Sequence, residues 1–383
     1  MADKYFIEPD VEFIEKLQGL GGDTLKKCFQ CATCSVVCPI SPDTKPFPRK
    51  EMIAASWGLK DRLVGNADIW LCHNCGDCST MCPRGAKPGD VLGAVRSYAI
   101  EEYATPKSLG KMVNDPKMLP VLLLIPAVLF LILGGIIDAA FGVNWLNFSP
   151  AGEEISHSKF FNTWLVDLIF VPTSFWVVAI FGLGLSRFMK DIHENALIDG
   201  KTDKEKIEAK GFLTALWRIL PTILKHKKFS ECGENENRAT SHMMVFYSFI
   251  GLFIVTNCFF FSLYVLQKHG PYPQLCAVKW LANISGIALV IGACLMIKER
   301  LSKTDEVSAY KDWYLLIIVL GVGLTGMLTE MTRLGGVAGL SYAMYFVHLV
   351  FVFNLFVFLP FSKLAHLVYR TVAMAYAEYV GRK

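Results

Sequence analysis

Two cysteine runs of identical spacing carry most of the chemistry open to this chain of 383 residues. Cys28, Cys31, Cys34 and Cys38-Pro39 form the first, and Cys72, Cys75, Cys78 and Cys82-Pro83 the second. Both read C-x2-C-x2-C-x3-C-P, the spacing by which thiolates wrap a [4Fe–4S] cubane while the fourth Cys of each run reaches the other cluster. The expected ligand sets are therefore Cys28, Cys31, Cys34 and Cys82 for one cluster and Cys72, Cys75, Cys78 and Cys38 for the other. Structural zinc takes four ligands in paired C-x2-C units and fits this pattern poorly. A disulfide framework needs an oxidising compartment, which conflicts with the orientation argued below. Cys258, Cys276 and Cys294 stand singly and read as small apolar residues, and Cys232 as that or a loop thiol.

Histidines offer a second kind of redox ligand. His348 and His366 are eighteen residues apart, five whole turns and about 27 Å along a continuous helix at about 1.5 Å per residue. One helix would then offer an axial ligand to each of two stacked b-type haems, one toward the outer surface and one at the cytoplasmic end. Pro360 lies between them and would weaken that register by kinking the helix. His242 opens an apolar stretch at the same depth as His366 and is its expected partner. For His348 the nearest candidate is His269; otherwise His348 is a buried polar group or lines a quinone pocket. His73 reads as a cluster neighbour, and His157, His193 and His226 as solvated loop residues. Glu330 and Arg333, beside Thr329, are spaced to pair on one helix face; such intramembrane charge marks a candidate quinone site, although Arg333 is equally able to snorkel to the interface.

These residues need a scaffold, and composition indicates which. Hydrophobic residues make up 53% and charged ones 19%, with mean hydropathy +0.39, values that suit a membrane protein with a soluble appendage. The fold expected is all-α: an α-helical ferredoxin domain over residues 1–115, followed by a six-span helical bundle of cytochrome b type over 116–383. Helices are expected at Pro9–Leu20, Pro48–Leu63 and Pro88–Tyr103, and a polar linker after Tyr103. Spans are expected at Met118–Ile137, Trp164–Phe188, His242–Leu266, Val278–Ile297, Trp313–Met331 and Tyr342–Phe361, each near the ~20 residues a bilayer requires. Between the second and third, residues 211–228 read as an amphipathic helix lying on the inner leaflet or docking a partner.

Charge orients the chain. Of 38 Lys and Arg, 15 precede the first span, Arg187 and ten more fall before the third, and four each lie in the fourth-to-fifth loop and after Phe361. Only Lys159, Lys268, Lys279 and Arg333 remain for the other side. The positive-inside rule puts both termini in the cytoplasm of a multi-pass inner-membrane protein. The acidic start without an early apolar run speaks against a secretory leader. A net charge of +4 is too small to indicate a nucleic-acid partner.

With these residues in hand, the amino-terminal part resembles the small iron–sulfur subunit of heterodisulfide reductases. The remainder resembles their cytochrome b subunit and the gamma subunit of respiratory nitrate reductase, in which two haem-ligating His also stand eighteen apart. The fusion is similar to the third subunit of quinone-interacting membrane-bound oxidoreductase complexes. That resemblance implies haem b, menaquinone, partner flavin/iron–sulfur subunits and electron delivery toward adenylylsulfate reductase in sulfate respiration. The nitrate reductase subunit has two His on its early ligand span, whereas this chain has only His242 there, which leaves a second haem open. No adjacent Cys pair occurs, so the chain relays electrons and does not itself reduce disulfides. Three functions follow as expectations: menaquinol oxidation with electrons passed to soluble partners, the reverse flow, or a haem-free anchor and docking subunit.

Overall fold

The computed structural model describes residues 8–43, 45–142, 146, 148, 153–229, 236–302 and 309–382; Cys232 lies outside them. It is 76% helical, with no strand among the described residues, so the all-α reading holds.

The ferredoxin part is short helices joined by the cysteine loops. Asp10 caps the first helix, Val11–Leu17, by accepting from Phe13 N at 2.8 Å, and a π turn through Gly21 ends it. The single helix expected from Pro48 is two, Arg49–Ser56 and Lys60–Val64. The break falls at Gly58, whose φ is +66° and where a Cβ would sit 2.6 Å from the Asp10 carbonyl oxygen. Pro88–Tyr103 forms as expected and threads the core with Val91, Leu92, Val95 and Ala99 buried. The expected polar linker is instead a helix, Lys107–Asn114, tied back by Asn114 Nδ2 donating to Glu101 Oε1 at 2.6 Å.

Six helices are long and apolar enough to cross a membrane: Pro116–Phe141, Thr163–Ile198, Arg238–Tyr264, Ala277–Ser302, Tyr310–Leu334 and Ala338–Val357. The second has 36 residues, about 54 Å of helix, well beyond a ~30 Å hydrocarbon core. Its last turns form a strut under the ferredoxin part. There Phe188, Ile192 and Ala196 join one core with Leu63, Ile69, Trp70 and Tyr103. Tyr103 donates to Asp191 Oδ2 at 2.8 Å, Arg187 to Tyr103 O at 2.5 Å, and Asn195 to the carbonyls of Asp61 and Gly65 at 2.9 Å.

The sixth span stops short of Phe361. Pro360 has no N–H to continue the ladder, and the chain passes through tight turns at Leu359–Phe361 and Lys363–Ala365. Ser362 Oγ then accepts from Leu364 N, and a separate closing helix runs His366–Tyr379. His348 and His366 are thus on different helices, and the common face expected from their spacing does not exist. The closing helix packs on the ferredoxin part: Tyr369 stacks on Trp70 at 5.3 Å, and Arg382 pairs with Asp68 at 2.6 Å. Truncating Trp70, which is fully buried, would cost about 3–5 kcal/mol. The amphipathic helix spans Ala209–Leu224. It buries Ala215 and Ile219 and leaves Leu213, Trp217, Leu220 and Leu224 exposed.

Candidate functional site

The two cysteine runs fold over each other. Backbone turns with positive φ at Gln30, Ala32, Asn74 and Gly76 curl each run so that its first three thiols face one space. Cys28, Cys31, Cys34 and Cys82 line one cavity, and Cys38, Cys72, Cys75 and Cys78 line the other. These are the two crossed sets expected from the spacing. Amide donors point at the sulfurs, Asn74 N to Cys72 Sγ at 3.4 Å and Ala86 N to Cys82 Sγ at 3.3 Å. Among the described residues no three His, Cys, Asp or Glu converge closely enough for a single metal ion. Each set of four thiols instead walls a space. Burial pushes the Cys38 thiol up to about 12 and Cys78 higher still, so these sulfurs ionise against a strong cation such as cluster iron. The donor set fits two [4Fe–4S] clusters.

A third cavity, about 280 Å³, lies between the ferredoxin part and the membrane helices. Cys72, His73 and Asn74 wall it on one side, and His242 and His366 on the other. Two arginines bridge across. Arg370, one turn beyond His366, donates to Cys72 O at 3.0 Å, and Arg238, one turn before His242, to Asn74 O at 3.4 Å. The loop that begins the second cysteine run is therefore held from both helices that carry these histidines.

Hydrogen bonding sets the tautomers. His366 Nδ1 lies 2.6 Å from Lys363 O, so Nδ1 carries the proton and Nε2 the lone pair. His226 Nδ1 lies 3.2 Å from Leu224 O, and His226 Nε2 lies 2.9 Å from His242 Nδ1. A proton on His226 Nδ1 makes its Nε2 the acceptor for His242 Nδ1–H, which leaves the His242 lone pair on Nε2. Metal-ligating imidazoles are oriented by this kind of second bond. Burial pushes His366 down to about 3, so it stays neutral. His242 and His366 thus wall one cavity, each with its lone pair on Nε2. His226 is buried, not solvated; a His past a lysine-flanked helix end gives no sign that its loop returns to the third span.

The other loop histidines are also corrected. His193 lies inside the second span, buried, with Nδ1 2.9 Å from Tyr376 OH. His157 places Nε2 2.9 Å from Ser341 Oγ, and burial pushes it down to about 4. His348 sits mid-span rather than near the outer end, its Nδ1 3.0 Å from Thr325 Oγ1. Gly326 admits the ring, since a Cβ there would lie 3.0 Å from His348 Cε1. His269, the nearest candidate partner for His348, lies in an exposed loop just past the third span, where its position in the sequence put it. Glu330 and Arg333 pair at 3.2 Å as their spacing implied, but Lys279 at 3.0 Å and Gln274 also hold the carboxylate.

The chain is thus an iron–sulfur protein with a membrane-spanning part. Residues 24–86 match the 4Fe-4S dicluster domain family, and residues 163–382 match the citrate utilization protein B family. The latter match covers more than half of the chain, which therefore belongs to that family. The chain is 24% identical to Citrate utilization protein B of Escherichia coli over 97% of its own length and 92% of that protein. Its amino-terminal part is 40% identical over 90 residues to a subunit of the H(2):CoB-CoM heterodisulfide,ferredoxin reductase of Methanothermobacter marburgensis, covering 24% of this chain and 49% of that one. It is 32% identical over 105 residues to a protein of Archaeoglobus profundus that is itself like a heterodisulfide reductase subunit, covering 27% and 56%. The chain thus spans about half the length of these two reductase-type relatives. No solved structure matches. The likeness to heterodisulfide reductase subunits agrees with the resemblance drawn from the cysteine runs.

Proposed function

We propose that this chain is the membrane electron-transfer subunit of a respiratory complex, with Cys28, Cys31, Cys34 and Cys82 holding one [4Fe–4S] cluster and Cys38, Cys72, Cys75 and Cys78 the other. His242 and His366 would hold a b-type haem. When bound, these groups supply one-electron transfer between a two-electron carrier in the membrane, menaquinol by the resemblance, and soluble flavin/iron–sulfur subunits. The observation that carries this reading is the shared wall: Cys72 and its neighbours line both the second cluster cavity and the cavity of the paired histidines. His348 is better suited to a quinone pocket than to a second haem, because its Nδ1 meets Thr325 Oγ1 and the candidate partner His269 lies in an exposed loop. In that pocket His157 and His348 are the proton acceptors for a quinol, while Glu330, held by Lys279 and Arg333, fixes the polar end of the site. The positive-inside distribution supports a cytoplasmic ferredoxin part in the inner membrane.

The full-length likeness to a citrate utilization protein favours a second reading, in which an organic-acid oxidation delivers electrons to the soluble subunits and the membrane part reduces quinone. Adenylylsulfate reductase remains the partner suggested by the first reading. Inverted membrane vesicles test both. A menaquinol analogue should reduce the cluster signals in electron paramagnetic resonance, with the cluster part open to added protease. Cluster reduction only by soluble donors would reverse the direction, and protease resistance would reverse the orientation.

A further inference from the structure

The two cluster cavities face different surroundings. The Cys38, Cys72, Cys75, Cys78 cavity adjoins the membrane-side cavity. The other is lined only by residues between Cys28 and Pro88, and its Cys31 is exposed. Phe29 (67% exposed) lines it, and Val36 (84%) and Met81 (61%) stand one or two residues along the chain from a cluster ligand. Large apolar side chains this open, all close in sequence to cluster ligands, form the kind of exposed apolar surface that proteins use to dock, and Phe, Met and Arg are the types enriched there. Arg84 lies over the Phe29 ring at 4.0 Å, holding it as a flat platform. The stretches around it, residues 23–39 and 77–88, contain Lys26, Lys27, Arg84 and Lys87 against Asp23 and Asp77, a basic excess.

We propose that this rim is the docking surface for the soluble redox partner, a protein with an acidic face that exchanges electrons one at a time with the cluster of Cys28, Cys31, Cys34 and Cys82. The inference rests on the electron-transfer reading above and specifies which cluster meets the partner and with what charge. The basic rim repels a second copy of itself and steers an acidic face into place; Phe29, Val36 and Met81 then bury against it. One electron leaves the reduced cluster per encounter and reduces the partner's centre by one; no proton moves.

Two small one-electron acceptors of high potential and opposite charge test the charge rule on the detergent-solubilised full chain: plastocyanin, which is acidic, and cytochrome c, which is basic. Binding is read by thermophoresis and electron transfer by stopped flow from the dithionite-reduced protein. The proposal expects plastocyanin to bind at least ten-fold more tightly and react faster, with a rate that falls steeply with salt. The double variant Lys26→Glu, Lys27→Glu should reverse the preference, and Phe29→Ser should weaken plastocyanin binding several-fold at unchanged charge. Oxidation by neutral benzoquinone should be the same in every variant, which guards against a damaged cluster. Equal binding of the two acceptors, or a preference for cytochrome c in the wild type, overturns the docking surface. Absence of cluster signals in the wild type would instead overturn the electron-transfer reading itself.

Discussion

Glu51 is an acid placed where an acid is costly. It is 2% exposed, its Oε1 accepts from Asn66 at 3.3 Å, and its Oε2 has no hydrogen-bond partner among the described residues. Burial, reinforced by nearby Asp68, pushes it up to about 7. Because the folded value is raised, the neutral form suits the fold: its contribution is full below the unfolded value, about 4.3, and is lost as pH rises through about 7. Glu51→Gln should therefore match the wild type within about 1 kcal/mol at pH 5 and exceed it by up to about 3 kcal/mol at pH 8. Melting temperatures across that range check this; a pH-independent gap would point to packing instead. Cys38 tests the crossed ligand sets. Cys38→Ala should spoil the cluster of Cys72, Cys75 and Cys78, leaving about half the iron, and the lost paramagnetic signal should be the one that Cys75→Ala also removes. Loss of the Cys28, Cys31, Cys34 signal would show uncrossed ligation. The cysteine spacing was legible as a motif, and each of the two sets it implies lines one cavity. The role of His226 was not, since it depends on a loop returning sixteen residues later to the third span.

At the scale of elements, the second span does more than cross. Its end places Asp199 among Lys50 at 2.5 Å, Lys201 at 3.3 Å and Arg62. Burial works against the Asp199 charge, but Lys50, Lys201 and Arg62 outweigh it and hold the carboxyl below the usual range. A depressed folded value means that this stabilisation is present above about pH 4 and is lost as pH falls through the lowered value. Asp199→Asn should cost about 1–3 kcal/mol at neutral pH, and hydrogen exchange should quicken in the helices Arg49–Ser56 and Lys60–Val64. Unchanged exchange there would mean that the apolar core alone seats the ferredoxin part. Apolar length made all six spans readable in the sequence. The strut was not readable, because the charged turns beyond Phe188 look like a loop until Asp61, Gly65 and Lys50 arrive to satisfy them. The break after Val357 turned on Pro360 and Ser362, residues whose local effect competes with an otherwise unbroken apolar run.

Over the whole molecule, one cysteine cavity stands apart, the second shares Cys72, His73 and Asn74 with the cavity walled by His242 and His366, and His348 lies in the sixth span. Fold class and cluster chemistry came from pattern, whereas this arrangement came from packing, above all from Arg238 and Arg370 gripping the Cys72 loop. The account stands or falls on whether His242 and His366 share one metal centre. Reduced-minus-oxidised visible spectra of the purified wild type, His242→Ala and His366→Ala measure this directly, with paramagnetic resonance reporting the clusters in the same samples. The account predicts a b-type band in the wild type, absent from both variants, with both cluster signals kept in all three. A wild type with intact clusters and no b-type band, or a band that survives in either variant, would contradict it.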